Sequence, residues 1–227
     1  MDMNTLLSYL PALGRGLWIT LVCWLVASVG GVALGLIIAL VQRSAAAPLR
    51  LLIKFYIEAM RCTPLIVLLF IVYDGGPAVG VLLDPIPAGI VVLIIHGSAY
   101  FAEIFRGGFQ AVPAGQIEAA NSLGMPPLAI VRRVLMPGAL TAAMPALINM
   151  VINVCKETAL LSIITVGDLT FAVQNMAVET FAAFESLLAL ALGYWLLIEI
   201  FSRLGQRAER RINRHLRLRG ATGKGGL

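Results

Sequence analysis

The chain alternates long apolar runs with short polar breaks, and the lengths of the runs set the first expectations. Residues 16–41 contain no charged side chain. About 20 apolar residues in helix cross a bilayer core of roughly 30 Å, so this stretch predicts one spanning helix with some tilt. Within it Gly31 and Gly35 have a small-xxx-small spacing, which lets another helix come close, from the same chain or from a second one. A second apolar stretch, 51–73, holds Lys54, Glu58 and Arg61 in its first half, spaced so that they share one helical face. Further spans are predicted over 86–105, 138–156 and 186–204. The segment 160–177 is apolar at first and then broken by Gly167 and Asp168. It reads as re-entrant or interfacial, with an extra span as the alternative.

The break at 107–137 is different in kind. Pro113 suits the first turn of a helix, 114–123 contains no breaker, and Gly124 suits a C-terminal cap with positive φ. A second short helix is predicted over 127–136, with Leu128, Val131, Val134 and Leu135 on one face and Arg132 and Arg133 on another, ended by Pro137 and Gly138. On the first helix Ile117, Ala120 and Leu123 or Gly124 form a narrow face with a low surface, and Glu118 lies near the positive helix end. Such a helix suits a groove on another protein or rests on the membrane surface or its own bundle.

Composition removes the soluble classes. Of 227 residues, 59% are hydrophobic and 13% charged, with a mean hydropathy of +0.91, against roughly a quarter charged in soluble domains. The expected fold class is therefore an all-α polytopic membrane protein of about five transmembrane helices with a two-helix cytoplasmic loop. Asp2 in place of a basic n-region, and Pro11 in the apolar run, argue against a cleaved signal peptide. Cys23, Cys62 and Cys155 lie in or at the ends of apolar segments and imply neither a disulfide framework nor a metal cluster.

Much of the net charge of +5 comes from Arg203, Arg207, Arg210, Arg211, Arg214, Arg217, Arg219 and Lys224. A basic tail over 206–227, abutting a span, reads as a topology determinant touching anionic lipid and not as a nucleic-acid site. Arg43, Arg50 and Lys54 follow the first span and Arg106, Arg132 and Arg133 the third, whereas 74–84 and 156–185 hold only Lys156 among basic residues. The positive-inside rule then puts the N-terminal segment 1–15 outside, and the 107–137 loop and the C-terminus in the cytoplasm.

The loop carries a resemblance. "EAANSLGMPPLAIVRRVLMP" is similar to the EAA loop of ABC importer membrane subunits: Glu118, Ala119 and Ala120, then Gly124, Val134 and Pro137 at six, sixteen and nineteen residues after the Glu. Val134 stands for the usual Ile, and Met136 for the usual Leu. "YIEAMRCTPLIVLLFIVY", "SAYFAEIFRGGFQAVPAGQIEAANSLGM" and "CKETALLSI" resemble the polar amino acid subfamily, extending the match over roughly 16–210. Cys62, where a small residue such as Gly or Ser is usual, and "KETALLS", where Lys-Asp-Thr-Ser-Leu is more common, depart from it and bear on the substrate.

The resemblance implies a type I ABC importer transmembrane domain over 16–205 in the bacterial inner membrane, moving a polar amino acid by alternating access. It makes the loop a coupling helix, with Gln116, Glu118, Ala119, Ala120, Gly124, Met125 and Pro137 as coupling residues. The implied partners are a cytoplasmic ABC ATPase dimer, a second permease subunit, identical or paralogous, and a periplasmic or lipid-anchored amino-acid-binding protein. The chain has no G-x-x-x-x-G-K-[ST] phosphate loop, so ATP and Mg are assigned to the partner, and no cofactor, metal or catalytic residue to this chain. The alternative, a secondary transporter or channel, predicts a larger chain or internal repeats. A simple anchor leaves the intramembrane charges unexplained.

Ionisable residues inside spans face a cavity or a partner. Lys54 and Arg61 are placed to snorkel, with Glu58 between them, as a structural ion pair or as a line of charge along a path. Glu103 and Arg106 read as a structural pair. His96 is either a hydrogen-bonded interior histidine or a substrate contact. Asn149 and Asn153 share a helix side, and Lys156 and Glu157 are placed to meet the charged ends of an amino acid or to hold a gate. The candidate substrate path or gate is therefore Glu58, Arg61, His96, Asn149, Asn153, Lys156 and Glu157, with a zwitterion held near Glu58, His96, Asn153 and Glu157.

Overall fold

The computed structural model describes residues 3–221, with side chains from Ser8 to Arg207 and of Glu209; Arg210, Arg211, Arg214, Arg217, Arg219 and Lys224 of the basic tail lie outside the described side chains. Every regular element is helical among these residues. Helix α1 (Met3–Ser44) contains the first apolar run. Residues 3–15 are its opening turns and do not form a separate segment. Its outward positions, including Trp18, Leu25, Val29 and Ile37, are exposed, as expected of a helix whose outer solvent is lipid.

The second apolar run is not one helix. It divides into α2 (Ala47–Cys62) and α3 (Leu65–Tyr73), bent by 103°. Pro64 has no N–H to donate and forces the residue before it out of helical backbone; Thr63 is accordingly extended, at φ −92° and ψ 126°. The charges at 54, 58 and 61 all lie on α2, leaving α3 wholly apolar.

Helix α4 (Pro85–Gln110) is the central post, with Val92, Leu93, Phe101, Ala102 and Phe105 nearly inaccessible. It packs on α1, where a Cβ added to Gly35 would lie 2.5 Å from Phe101 Cβ and 2.9 Å from the Ser98 carbonyl oxygen. The small-residue spacing of α1 therefore serves intrachain packing. On its other side α4 meets α7 (Met136–Glu157).

Between them come the short loop helices α5 (Ala114–Ser122) and α6 (Pro127–Ile130). Pro137 does not end the second loop helix as the sequence predicts. Residues Val131–Leu135 form a π turn in which the Met136 N–H reaches the Val131 carbonyl. The wider turn absorbs the missing donor and the ring of Pro137, so helical structure runs on from α6 through α7 to Ile164.

After a 3₁₀ turn at Thr158–Ile164 the chain enters α8 (Leu169–Thr180). Asp168, which breaks the apolar pattern, caps this helix by accepting the Phe171 N–H at 2.8 Å. Twelve helical residues rise only about 18 Å, too little to cross, so 160–177 is not a further full span. Helix α9 (Ala183–Ala221) completes the bundle. Among the described residues four helices are long and apolar enough to span, and the broken α2–α3 pair brings the number to five.

Candidate functional site

Two regions answer to the predicted site residues. The first is the loop between α4 and α7. Helix α5 ends in a Schellman-type cap: the Met125 N–H bonds the Ala120 carbonyl at 3.2 Å and the Gly124 N–H bonds that of Asn121 at 2.9 Å. Gly124 has φ +69°, a conformation glycine adopts without Cβ strain. Gln116, Glu118 and Ala119 are exposed and Met125 is half-buried. Ala120 and Ile117 instead turn inward, Ala120 to 4% exposure. The predicted Ile117–Ala120 docking face is thus the face that seats α5 on its own bundle, and the free face is the opposite one. Pro137 lies apart from it, at the start of α7.

Two side chains that the sequence placed only on helix faces stand out here by their exposure. Leu123 and Leu128, on either side of the bend, are 81% and 79% exposed. Exposed apolar side chains flanking a loop bend are candidates for a contact surface. Their signal was the pair of leucines flanking Gly-Met-Pro-Pro.

The second region is the seam between α4 and α7. His96 is buried, and its Nδ1 lies 3.8 Å from Glu157 Oε2. Neither of these buried atoms has a hydrogen-bond partner among the described residues, an arrangement costly enough to need a reason. One turn along α4, the Tyr100 ring meets His96 edge-on at 5.2 Å and lies under the Arg61 guanidinium at 5.5 Å. Arg61, Tyr100, His96 and Glu157 therefore form a continuous line from α2 through α4 to α7. Tyr100 was overlooked, although it stands four residues after His96 and so on the same helix face.

Glu58 does not join this line. It pairs with Lys54 at 3.7 Å, with both side chains mostly exposed, because a helix places i and i+4 together without help from the fold. Close by, the Arg106 Nε donates to Glu103 at 2.8 Å, as predicted. Asn149, Asn153 and Lys156 share a side of α7 but are exposed, so they face away from the interior of this chain. Amides and an ammonium within a span are costly against hydrocarbon.

The family described as "Binding-protein-dependent transport system inner membrane component" matches residues 31–214. The arginine transport system permease protein ArtQ of Bacillus subtilis (strain 168) is 32% identical over 213 residues, 93% of this chain and 97% of that protein. The L-cystine transport system permease protein TcyB of the same organism is 33% identical, over 92% of this chain and 90% of its own. A crystal structure of an amino acid ABC transporter with histidines superposes with a TM-score of 0.86 at 39% identity, over 93% of this chain and 99% of its own. An inward-facing MetNI methionine ABC transporter, at 23% identity and a TM-score of 0.80 over the same shares of the two chains, has the same fold. With its spanning helices, its loop helix and a family match covering most of its length, this chain belongs to the binding-protein-dependent transport system inner membrane components.

Proposed function

We propose that the chain is the permease subunit of an ABC importer for an amino acid, and that it works by alternating access along the exposed polar side of α7. The observation that carries this reading is the pairing of an exposed loop-helix surface with an unpartnered polar seam in a chain that lacks a phosphate loop. ATP and Mg belong to a separate cytoplasmic ATPase dimer. Gln116, Glu118, Ala119, Gly124 and Met125, with the exposed Leu123 and Leu128, form the surface that receives its closure; Ala120 and Pro137 hold that surface in place.

One chain offers only one wall of a path, so a second permease subunit, identical or paralogous, faces the Asn149–Asn153–Lys156 side. A binding protein delivers substrate on the outer face. Basic residues cluster at the loop end of the bundle, which favours a cytoplasmic loop and C-terminus and an outer N-terminus in a bacterial inner membrane. The relatives are named for arginine and cystine, which share only the ammonium and carboxylate of an α-amino acid. The adjacent Lys156 and Glu157, with His96 and Asn153, match those common ends.

The test is uptake of labelled amino acids into vesicles holding the assembled complex, with ATP and without an ion gradient. Uptake that needs ATP and the binding protein supports the proposal, and uptake driven by an ion gradient alone overturns it. Intact uptake by an assembled Gly124→Asp complex would remove the coupling role from the loop.

A further inference from the structure

At the loop end of the bundle, between the last turn of α1, the first turn of α2 and the last turns of α4, lies a pocket of about 300 Å³ lined by Gln42, Arg43, Arg50, Arg106 and Gln110 with Ala39 and Phe109. No carboxylate lines it. Arg106 is held by Glu103, and Arg50 is steadied by a 3.0 Å hydrogen bond from its guanidinium to the Ala45 carbonyl. Arg43 and Arg50 are exposed, line the same concavity and have no ion pair among the described residues, so their two guanidinium groups are open to an anion there. Gln42 adds a second demand: it lines the pocket, and its buried Oε1 accepts no hydrogen bond from any described residue. The ligand the pocket fits therefore brings an anion for the arginines together with a hydroxyl for Gln42.

We propose that this pocket binds the phosphate of an anionic glycerophospholipid whose headgroup carries hydroxyls, as phosphatidylglycerol does. Guanidinium forks match phosphate oxygens in geometry and charge, and basic pockets between spans on the cytoplasmic side are suited to such headgroups. The flanking side chains favour lipid over free phosphate: Leu49, Leu51 and Leu52, on either side of the pocket-lining Arg50, are exposed and offer acyl chains an apolar surface. The inference rests on the membrane orientation proposed above. A lipid held here ties α1, α2 and α4 together beside the loop.

Native mass spectrometry of the delipidated, assembled complex tests this with added phosphatidylglycerol, phosphatidylcholine or inorganic phosphate. The expected result is one phosphatidylglycerol retained per permease chain and much weaker retention of phosphatidylcholine. Each near-surface arginine contributes about 1 kcal/mol to binding anionic lipid. Arg43→Gln or Arg50→Gln should therefore lower retention about fivefold, and the double variant about thirtyfold. Arg15→Gln, an exposed arginine at the other end of α1, should leave it unchanged. The single variants keep the test readable if the double variant assembles poorly. Equal retention by wild-type and variant complexes overturns the proposal, as does inorganic phosphate occupying the site in place of the lipid. Absence of ATP-driven uptake by the wild-type complex, with lipid retained as expected, would instead count against the transport reading alone.

Discussion

Two acid–base pairs in this molecule have almost the same separation and opposite surroundings. Lys54 and Glu58 lie 3.7 Å apart on α2 with side chains 66% and 62% exposed; His96 and Glu157 lie 3.8 Å apart across α4 and α7 at 6% and 25%. The first pair is made by helix periodicity alone, and water or lipid headgroups screen it. The second requires two spans to be packed in register, and low dielectric magnifies whatever charge it carries. Distance therefore says little about which pair matters; burial and the absence of other partners say much more.

Breaking the buried pair is the largest expected effect. Glu157→Gln should lower the kcat/KM of ATP-driven uptake by roughly ten- to a hundredfold, the range of one charged contact, while ATPase activity without substrate stays unchanged. Moving the seam without touching it comes next. Gly35→Val drives a side chain into the Phe101 Cβ and the backbone of α4. Overpacking of this kind costs about 1–3 kcal/mol, to be seen as a lowered thermal unfolding midpoint in detergent. Gly107→Ala, where an added Cβ meets nothing within 4 Å, is the control. Tyr100→Ala removes the ring shared by Arg61 and His96 and should cost about 1 kcal/mol in the same assay, against less for Tyr100→Phe, which keeps the ring. Lys54→Gln should change stability by no more than about 0.5 kcal/mol; a larger loss would put the exposed pair on the same footing as the buried one.

The same contrast decides what could be read before folding. Charge-free runs of spanning length, the Lys54–Glu58 pair, the Glu103–Arg106 pair and the cap at Gly124 all depend on residues close in sequence, and each was legible. The α2–α3 break was missed even though Thr63–Pro64 announces it, because apolar continuity over 51–73 outweighed one proline. The π turn before Pro137 was hidden for the opposite reason: a proline usually ends a helix, and here a local widening lets it continue. Asp168 looked like an interruption and is a cap. The seam was only half legible: His96 and Glu157 were singled out separately, but their meeting and the bridging Tyr100 depend on how α4 lies between α1 and α7. The inward turn of Ile117 and Ala120 was likewise set by the bundle beneath the loop.

The central claim is that energy enters this chain through the outer face of α5. It is tested most directly by cross-linking in the assembled complex. Cys23 and Cys155 are buried and Cys62 is exposed, so Cys62→Ser leaves a quiet background on which Ala119→Cys presents one thiol on the exposed side of α5. A short maleimide–benzophenone reagent attached to that thiol should photo-cross-link it to the ATPase chain, more readily when nucleotide closes the ATPase pair, and should not do so from Ala142→Cys, exposed within α7. An Ala119→Cys complex that hydrolyses ATP and drives uptake, yet never cross-links to the ATPase, would contradict the account.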